Sequence, residues 1–180
     1  MPIIDPTKTW EPLQRRLETT SSERQRVVLS AVIEHMKAEA EPNLDRLMDT
    51  LNDAPDYHFW HAGHDRGPKG TDGVRTYYAD FVASRSNVLE YAIDRLVLDD
   101  DCLVTEGFLK QIYPGSYAAQ IGIPVDDESA YYLVVSRQLI LWPVDADGKI
   151  QGEDSYHSGP ASVTVLTEDQ LPEQVLADAS

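Results

Sequence analysis

The chain has 180 residues, 42% of them hydrophobic, so it is long enough for one domain with a sizeable core and is not a disordered chain. Its formal net charge is −16, which argues against nucleic acid and anionic membranes as partners. Cys102, the single cysteine, cannot form an internal disulfide. Because we also find neither a signal peptide nor a membrane-length apolar run, we expect a cytoplasmic protein.

The first predicted elements are an arm and a helix. Residues 1–20 contain three prolines among polar residues, so we expect an extended arm with at most a short helical turn at residues 13–17. Ser21 or Ser22 can then cap a helix. Its apolar residues recur at the i, i+3, i+4 spacing of a half-buried helix. They are Val28, Leu29, Val32, Ile33 and Met36.

Two further helices and a short strand follow. Asn43 can cap a second, shorter helix, and the aromatic residues 57–61 predict a strand. Thr71 or Asp72 can cap a third helix, whose apolar face includes aromatic side chains.

Beyond residue 87 the pattern changes to long β-type runs. Two acidic turn sequences, at residues 99–101 and 145–148, predict hairpins between them. The predicted strands are residues 88–98, 102–113, 131–142 and about 149–158.

Helices grouped before a sheet of hairpins indicate the α+β class. Four long strands present more apolar surface than one short helix can cover, so we expect a curved mixed or antiparallel sheet wrapped around three helices. The predicted organisation is an extended arm at 1–20, one α+β domain at 21–166, and a tail or short helix at 167–180.

Several local stretches resemble the SnoaL-like proteins of the nuclear-transport-factor-2-like superfamily. Residues 44–51 (LDRLMDTL) resemble its second-helix segment, and residues 70–78 (GTDGVRTYY) the start of its third helix. Residues 94–104 are similar to its central hairpin, and Lys149-Ile150 to the entry to its last strand. The resemblance implies a cone-shaped, cystatin-like α+β barrel enclosing one pocket. It also implies a homodimer, a hydrophobic small-molecule ligand and no cofactor.

Catalytic members of this superfamily include ketosteroid isomerase, scytalone dehydratase and polyketide cyclases. In the isomerase-like members a catalytic carboxylate follows the first strand, and the matching position here is at or near His61. A histidine there could accept a proton, with Asp65 as a second candidate. The alternative is a strand-end histidine hydrogen-bonded to the backbone.

Three more residues are candidates for acid–base chemistry. His35 lies beside the apolar stripe of the first long helix, where the isomerases place a tyrosine donor. Asp94 would orient a histidine if its strand face is concave. Glu106 lies among apolar neighbours and would be a general acid if it is buried. Each of the three also has a purely structural interpretation, as a boundary histidine, an ion-paired aspartate and a rim glutamate.

Further residues are candidates for binding a substrate. Arg137 stands in an apolar strand and must find a partner, which could be a substrate carboxylate, Glu106 or Asp94. We expect no metal, since His58, His61 and His64 are three residues apart and do not share one face of a strand-to-loop stretch. The alternative is a zinc site of His61, His64 and Asp65. The candidate substrate-binding residues are Trp60, Tyr78, Phe81, Tyr113, Arg137 and Tyr156.

The function predicted from these observations is cofactor-free acid–base chemistry on a hydrophobic small molecule in one internal pocket. Isomerisation, dehydration and aldol-type cyclisation are the candidate reactions, which are isomerase or lyase activities. Two alternatives stay open: a non-catalytic small-molecule-binding or accessory protein of the same fold, and an interaction module.

Overall fold

The protein is described by a computed structural model that covers residues 3–41, 43–61 and 63–176. Its helices are α1 (Thr7–Thr19), α2 (Glu23–Ala40), α3 (Leu44–Met48), α4 (Gly70–Ala83), α5 (Gly115–Gln120) and α6 (Glu173–Leu176). Its strands are β1 (His58–His61), β2 (His64–Asp65), β3 (Leu89–Leu98), β4 (Cys102–Pro114), β5 (Tyr131–Pro143) and β6 (Asp154–Leu166). No helix in this part of the chain is both long and apolar enough to cross a membrane.

The strands form one mixed sheet in the order β2-β1-β6-β5-β4-β3. Only the β1–β6 pair is parallel among the pairings of these strands. The sheet is curved and unclosed, and α2, α3 and α4 lie within its curve. The predicted α+β cone is therefore confirmed, including its mixed sheet and the predicted hairpin at residues 99–101.

The core lies between the concave face of the sheet and these helices. The side chains of α2 that were predicted to be apolar and inward are buried, and Trp142 and Leu103 meet them from the sheet. Ser22 caps α2 by accepting a hydrogen bond from the Gln25 amide. At typical burial energies each fully buried Leu or Val side chain contributes about 1.5–3 kcal/mol, so this interior supplies most of the stability.

The amino-terminal segment is not an extended arm, and that prediction is wrong. Residues 7–19 form α1, in spite of Pro12 inside the helix. Leu13 is fully buried in the main core, while Trp10 and Leu17 pack against that core. Spacings of three and four residues place these side chains on one face, and their burial outweighs the hydrogen bond that proline cannot make.

The sequence analysis also misplaced parts of the carboxyl-terminal half. The last strand begins at Asp154 and continues to Leu166, well beyond the predicted end at residue 158. The short helix α5 was not predicted at all. The segment after β6 was predicted as a tail or a short helix, and it contains the short helix α6. Its Val175 belongs to a second small core with Ile112, so this segment is part of the folded unit as far as residue 176.

One irregularity decides which strand residues face inward. The β3–β4 register shifts between Ile93 and Arg95, so Asp94 is an extra residue that has no partner in the pairing. Gly107 lies opposite this bulge, where a Cβ atom would come within 2.3 Å of the Ala92 carbonyl oxygen. The bulge therefore requires glycine on the neighbouring strand and reverses the inside–outside alternation of β3.

Candidate functional site

The site is a cavity of about 1030 Å³ between the helices and the concave face of the sheet. Alternate residues of the strands face it, as the period of two in a strand requires. On β5 these are Val134, Ser136, Gln138, Ile140 and Trp142. Most of the remaining lining is apolar and aromatic, which suits a hydrophobic ligand.

Two carboxylates face this mainly apolar cavity. Glu39 lies on α2 one turn beyond His35, and Glu153 precedes the first residue of β6. The Glu153 residue is only 9% exposed, whereas Glu39 is half-buried. Within the described residues neither carboxylate has a hydrogen bond or an ion pair. Buried carboxylates without such partners are rare, because the ionised form loses its hydration.

Burial raises the pKa of both carboxylic acids, but not to the same extent. It raises the pKa of Glu39 to about 7. Burial, and then the negative charges of Glu39 and Asp154, raise the pKa of Glu153 well above its ordinary value. At neutral pH Glu39 is therefore close to its pKa, while Glu153 favours its protonated form more strongly. One group is suited to accept a proton and the other to donate one.

Aromatic side chains surround this pair of carboxylates. Tyr77 of α4 has ring contacts with Phe59, at 5.1 Å between centroids, and with Phe81, at 5.9 Å. All three residues line the cavity together with the carboxylates. Burial raises the pKa of the Tyr77 phenol, and the charges of Glu153 and Glu39 raise it further.

His35 lies behind this wall and does not line the cavity. Its Nδ1 is 2.7 Å from the Thr50 hydroxyl, and its Nε2 is 3.0 Å from the Tyr78 hydroxyl. The Thr50 hydroxyl already donates its proton to the Leu47 carbonyl, so it must accept from His35 Nδ1. Burial lowers the pKa of His35 to about 4, so the neutral ring accepts at Nε2 from Tyr78.

This hydrogen-bond chain ends at Tyr57, whose hydroxyl lies 3.1 Å from that of Tyr78. Since the Tyr78 proton goes to His35, the Tyr57 hydroxyl donates to Tyr78. The chain uses both ring nitrogens of His35, so neither is left to donate to a ligand. The expected role of His35 as an acid or oxyanion donor is therefore wrong, and Tyr78 packs in the core instead of lining the cavity.

His61 lies at the mouth of the cavity. Its ring stacks on that of His157, with 4.9 Å between centroids, and both residues are exposed. Burial, and then the neighbouring His61, lower the pKa of His157. A base that works in a dry pocket must be screened from water, and the exposed position of His61 does not meet that condition. His61 therefore belongs to the rim, and Glu39 and Glu153 are the acidic groups that lie deeper in the cavity.

Asp94 and Glu106 are on the convex face, so their predicted position in the pocket is wrong. Leu89 and Tyr91 of β3 line the cavity, so Asp94 takes the opposite, outward phase of that strand, and Glu106 has the outward phase of β4. Arg137 binds both: it donates to Asp94 at 2.6 and 3.0 Å and to Glu106 at 2.8 Å. The predicted pairing of Arg137 with these carboxylates is confirmed. Arg95 also pairs with Glu106, at 2.9 Å.

The other predicted substrate-binding residues divide between the two faces. Phe81 and Tyr113 line the cavity. Trp60 and Tyr156 do not, because they take the outward phase of their strands and stack on each other outside, 6.3 Å apart. The sequence analysis missed Glu39 and Glu153, although Glu39 continues the buried stripe of α2. Among the described residues no three His, Cys, Asp or Glu side chains are grouped as a metal site would require.

Comparison with known proteins identifies the fold. The chain is similar to an NTF2-like protein from Anabaena variabilis, with a TM-score of 0.56 and 13% identity over 78% of this chain and 95% of that one. It is similar to a protein assigned as a SnoaL-like polyketide cyclase from Shewanella putrefaciens, with a TM-score of 0.59 and 14% identity over 81% and 87%.

A third similar structure is that of SalBIII, an epoxide hydrolase/cyclase-like enzyme of salinomycin pyran-ring formation. Its TM-score is 0.53, with 14% identity over 77% of this chain and 95% of that one. No family model and no curated protein matches the sequence. The chain therefore has the nuclear-transport-factor-2-like fold of the SnoaL-like proteins.

Proposed function

We propose that the protein is a cofactor-free acid–base enzyme that moves a proton on a hydrophobic small molecule held in the cone. One observation carries the proposal: Glu39 and Glu153 face one apolar cavity without partners, and their pKa values are raised to different extents. Glu39 is the base, because a group with a pKa near 7 is both available and effective at neutral pH. Glu153 is the acid.

The reaction class that suits this pair is proton transfer next to a carbonyl or to a leaving oxygen. Glu39 removes a proton from carbon, and protonated Glu153 donates a hydrogen bond to the oxygen on which negative charge develops. Isomerisation, dehydration and aldol-type cyclisation share this step. The printed descriptions of similar structures, a polyketide cyclase and an epoxide hydrolase/cyclase-like enzyme, support the class without naming a substrate.

The experiment is hydrogen–deuterium exchange into 2-tetralone and related cyclic ketones, followed by NMR in deuterated buffer. We expect exchange faster than in buffer alone, and a loss of about 100-fold or more in Glu39→Gln. Glu34→Gln is the matched control, because Glu34 lies on the same helix but points outward to Arg46. Exchange that Glu39→Gln leaves unchanged would refute the mechanism, and ketones that bind without exchange would indicate a binding protein instead.

We also propose that two copies of the chain pair through the convex face of the sheet. This face carries exposed Trp60, Phe108, Val97 and Tyr156, and the Arg137 guanidinium lies over the Phe108 ring. Aromatic residues and arginine are enriched in protein interfaces. Sedimentation should show a dimer at micromolar concentration, and Phe108→Asp should shift it toward monomer.

The charge of −16 supports a protein that acts in the cytoplasm without nucleic acid or membrane partners.

A further inference from the structure

The walls of the cavity carry negative charge and no fixed positive charge. Apart from Glu39 and Glu153, Asp80 lies at the mouth, and no Lys or Arg is among the lining residues that the structure describes. The two lining histidines, His61 and His157, are both at the rim. Burial lowers the pKa of His157, which keeps that ring neutral at neutral pH. A ligand with a carboxylate or phosphate would therefore meet only repulsion inside.

The buried end of the cavity has a carboxylate that could accommodate a cationic group of a ligand. Glu153 is nine-tenths buried, lines the cavity and has no partner in the described part of the chain. A neutral ligand would not compensate a negative charge on these two carboxylates. With such a ligand the carboxylates are neutral only while they are protonated. An ammonium group can replace those protons, because it supplies both charge and donors to carboxylate oxygens.

The aromatic wall suits the same ligand. The rings of Phe59, Tyr77 and Phe81 contact one another beside the two carboxylates, and their faces carry the negative end of the ring quadrupole. A cation within about 6 Å of such a face is stabilised, most strongly where water is excluded. The overall charge of −16 would also raise the local concentration of cationic ligands.

From this arrangement we propose that the cavity binds hydrophobic amines, with the ammonium group held between Glu153, Glu39 and the aromatic wall of Phe59, Tyr77 and Phe81. The inference concerns the same site as the proposed function and names its substrate class: an apolar body that carries a basic nitrogen. The amine binds as a cation and displaces a proton from the carboxylate pair.

The pH dependence follows from the groups around Glu153. Glu39 faces it from α2, Asp154 follows it in the chain, and the phenols of Tyr57 and Tyr77 face it from the β1 side and from α4. These phenols, like those of Tyr78 and Tyr91, have raised pKa values and stay neutral, so the charge beside Glu153 changes with pH through the carboxylates. Since the amine stays protonated below about pH 9, its affinity should rise with pH as the carboxylates become easier to ionise.

The test compares three probes that share one ring system: 1-naphthylmethylamine, 1-naphthalenemethanol and 1-naphthaleneacetate. Calorimetry at about pH 8 should show the amine binding about tenfold or more tightly than the alcohol, with no binding of the anion. At about pH 5 the preference should shrink severalfold. Titrations in buffers of different ionisation enthalpy should show the release of about one proton per amine bound.

Two variants complete the test. Glu153→Gln and Glu39→Gln should each lose most of the preference for the amine over the alcohol, while Glu34→Gln keeps it. An alcohol that binds as tightly as the amine, a preference that both cavity variants retain, or binding without proton release would overturn the proposal. Amine binding without deuterium exchange would refute the acid–base function alone, and exchange on neutral ketones without amine preference would refute this inference alone.

Discussion

The two faces of one sheet treat the same chemical group in opposite ways. Inside, Glu153 has no partner in the described chain and its pKa is raised by burial. Outside, Asp94 accepts two hydrogen bonds from Arg137, which lower its pKa, and its side chain is 53% exposed. At neutral pH the concave carboxylates therefore favour their protonated form more than an exposed carboxylate does, and the convex one is charged.

This difference indicates where side chains kept for function lower the stability of the fold. Paired exposed carboxylates cost little and contribute little. Buried carboxylates without partners destabilise the fold whenever they ionise, so their retention needs a reason outside folding. The same contrast separates the histidines: His35 is buried and neutral in a complete hydrogen-bond chain, while His58 lies at the sheet edge with Asp65.

The largest stability effect that we predict is for the buried histidine, in comparison with the partly exposed one. His35→Ala should lower the free energy of unfolding by about 3 kcal/mol, because it leaves a void and removes the acceptor of the Tyr78 hydroxyl. His58→Ala should cost less than about 1 kcal/mol, since His58 is partly exposed. Urea unfolding at about pH 7.5 measures both. Equal losses would show that the His35 network is not a stabilising unit.

The next prediction concerns the pH profile of deuterium exchange. With the pKa of Glu39 at about 7, its ionised fraction should rise about 50-fold between about pH 5 and pH 7, and the exchange rate should rise with it. At higher pH the rate should fall as Glu153 loses its proton. Glu153→Gln should remove the descending limb, whereas Glu34→Gln should keep both limbs. A profile that stays flat across this range would exclude Glu39 as the base.

A smaller effect is expected on stability when Glu153 is replaced. The folded protein holds a proton on Glu153 that the unfolded chain releases above about pH 4.5, so the wild type loses stability as pH rises past that value. Glu153→Gln cannot ionise. It should be more stable than the wild type at about pH 8 and equal to it near pH 4. A variant that is less stable at both pH values would contradict the buried, unpaired state.

Much of the architecture could be predicted from the sequence, because it depends on local patterns. The i, i+4 stripe of α2 and the acidic turn at residues 99–101 each specify one element. The α1 helix was missed because its prolines were weighted above the spacing of Trp10, Leu13 and Leu17. Its helical state depends on burial against α2 and β3, and these tertiary contacts are not visible in the local sequence.

The site was harder to predict than the fold. Strand alternation separates Asp94 from Leu89 and Tyr91 but does not say which face is concave, and the bulge then reverses the phase of the residues beyond Asp94. The glycine at position 107, opposite the bulge, is the one local sign. Glu39 could have been found by extending the stripe of α2 by one turn from His35. Glu153 could not, because its burial depends on where the strand that follows it pairs.

The smallest predicted effect belongs to the convex face and has the opposite sign to that of Glu153. Asp94→Asn should lower the free energy of unfolding only slightly at about pH 7, since the ion pair with Arg137 is exposed and screened by salt. Because Arg137 lowers the pKa of Asp94, the stabilisation is present above about pH 3.8 and is lost as pH falls through the folded pKa. Thermal unfolding at low and at high salt measures it. If Asp94→Asn behaved like Glu153→Gln and stabilised the protein at high pH, the two faces would not differ in how they hold a carboxylate. A small loss of unfolding free energy that salt abolishes would mean that the convex carboxylate stabilises the fold through its ion pair. Only the interior would then hold carboxylates whose role is chemical.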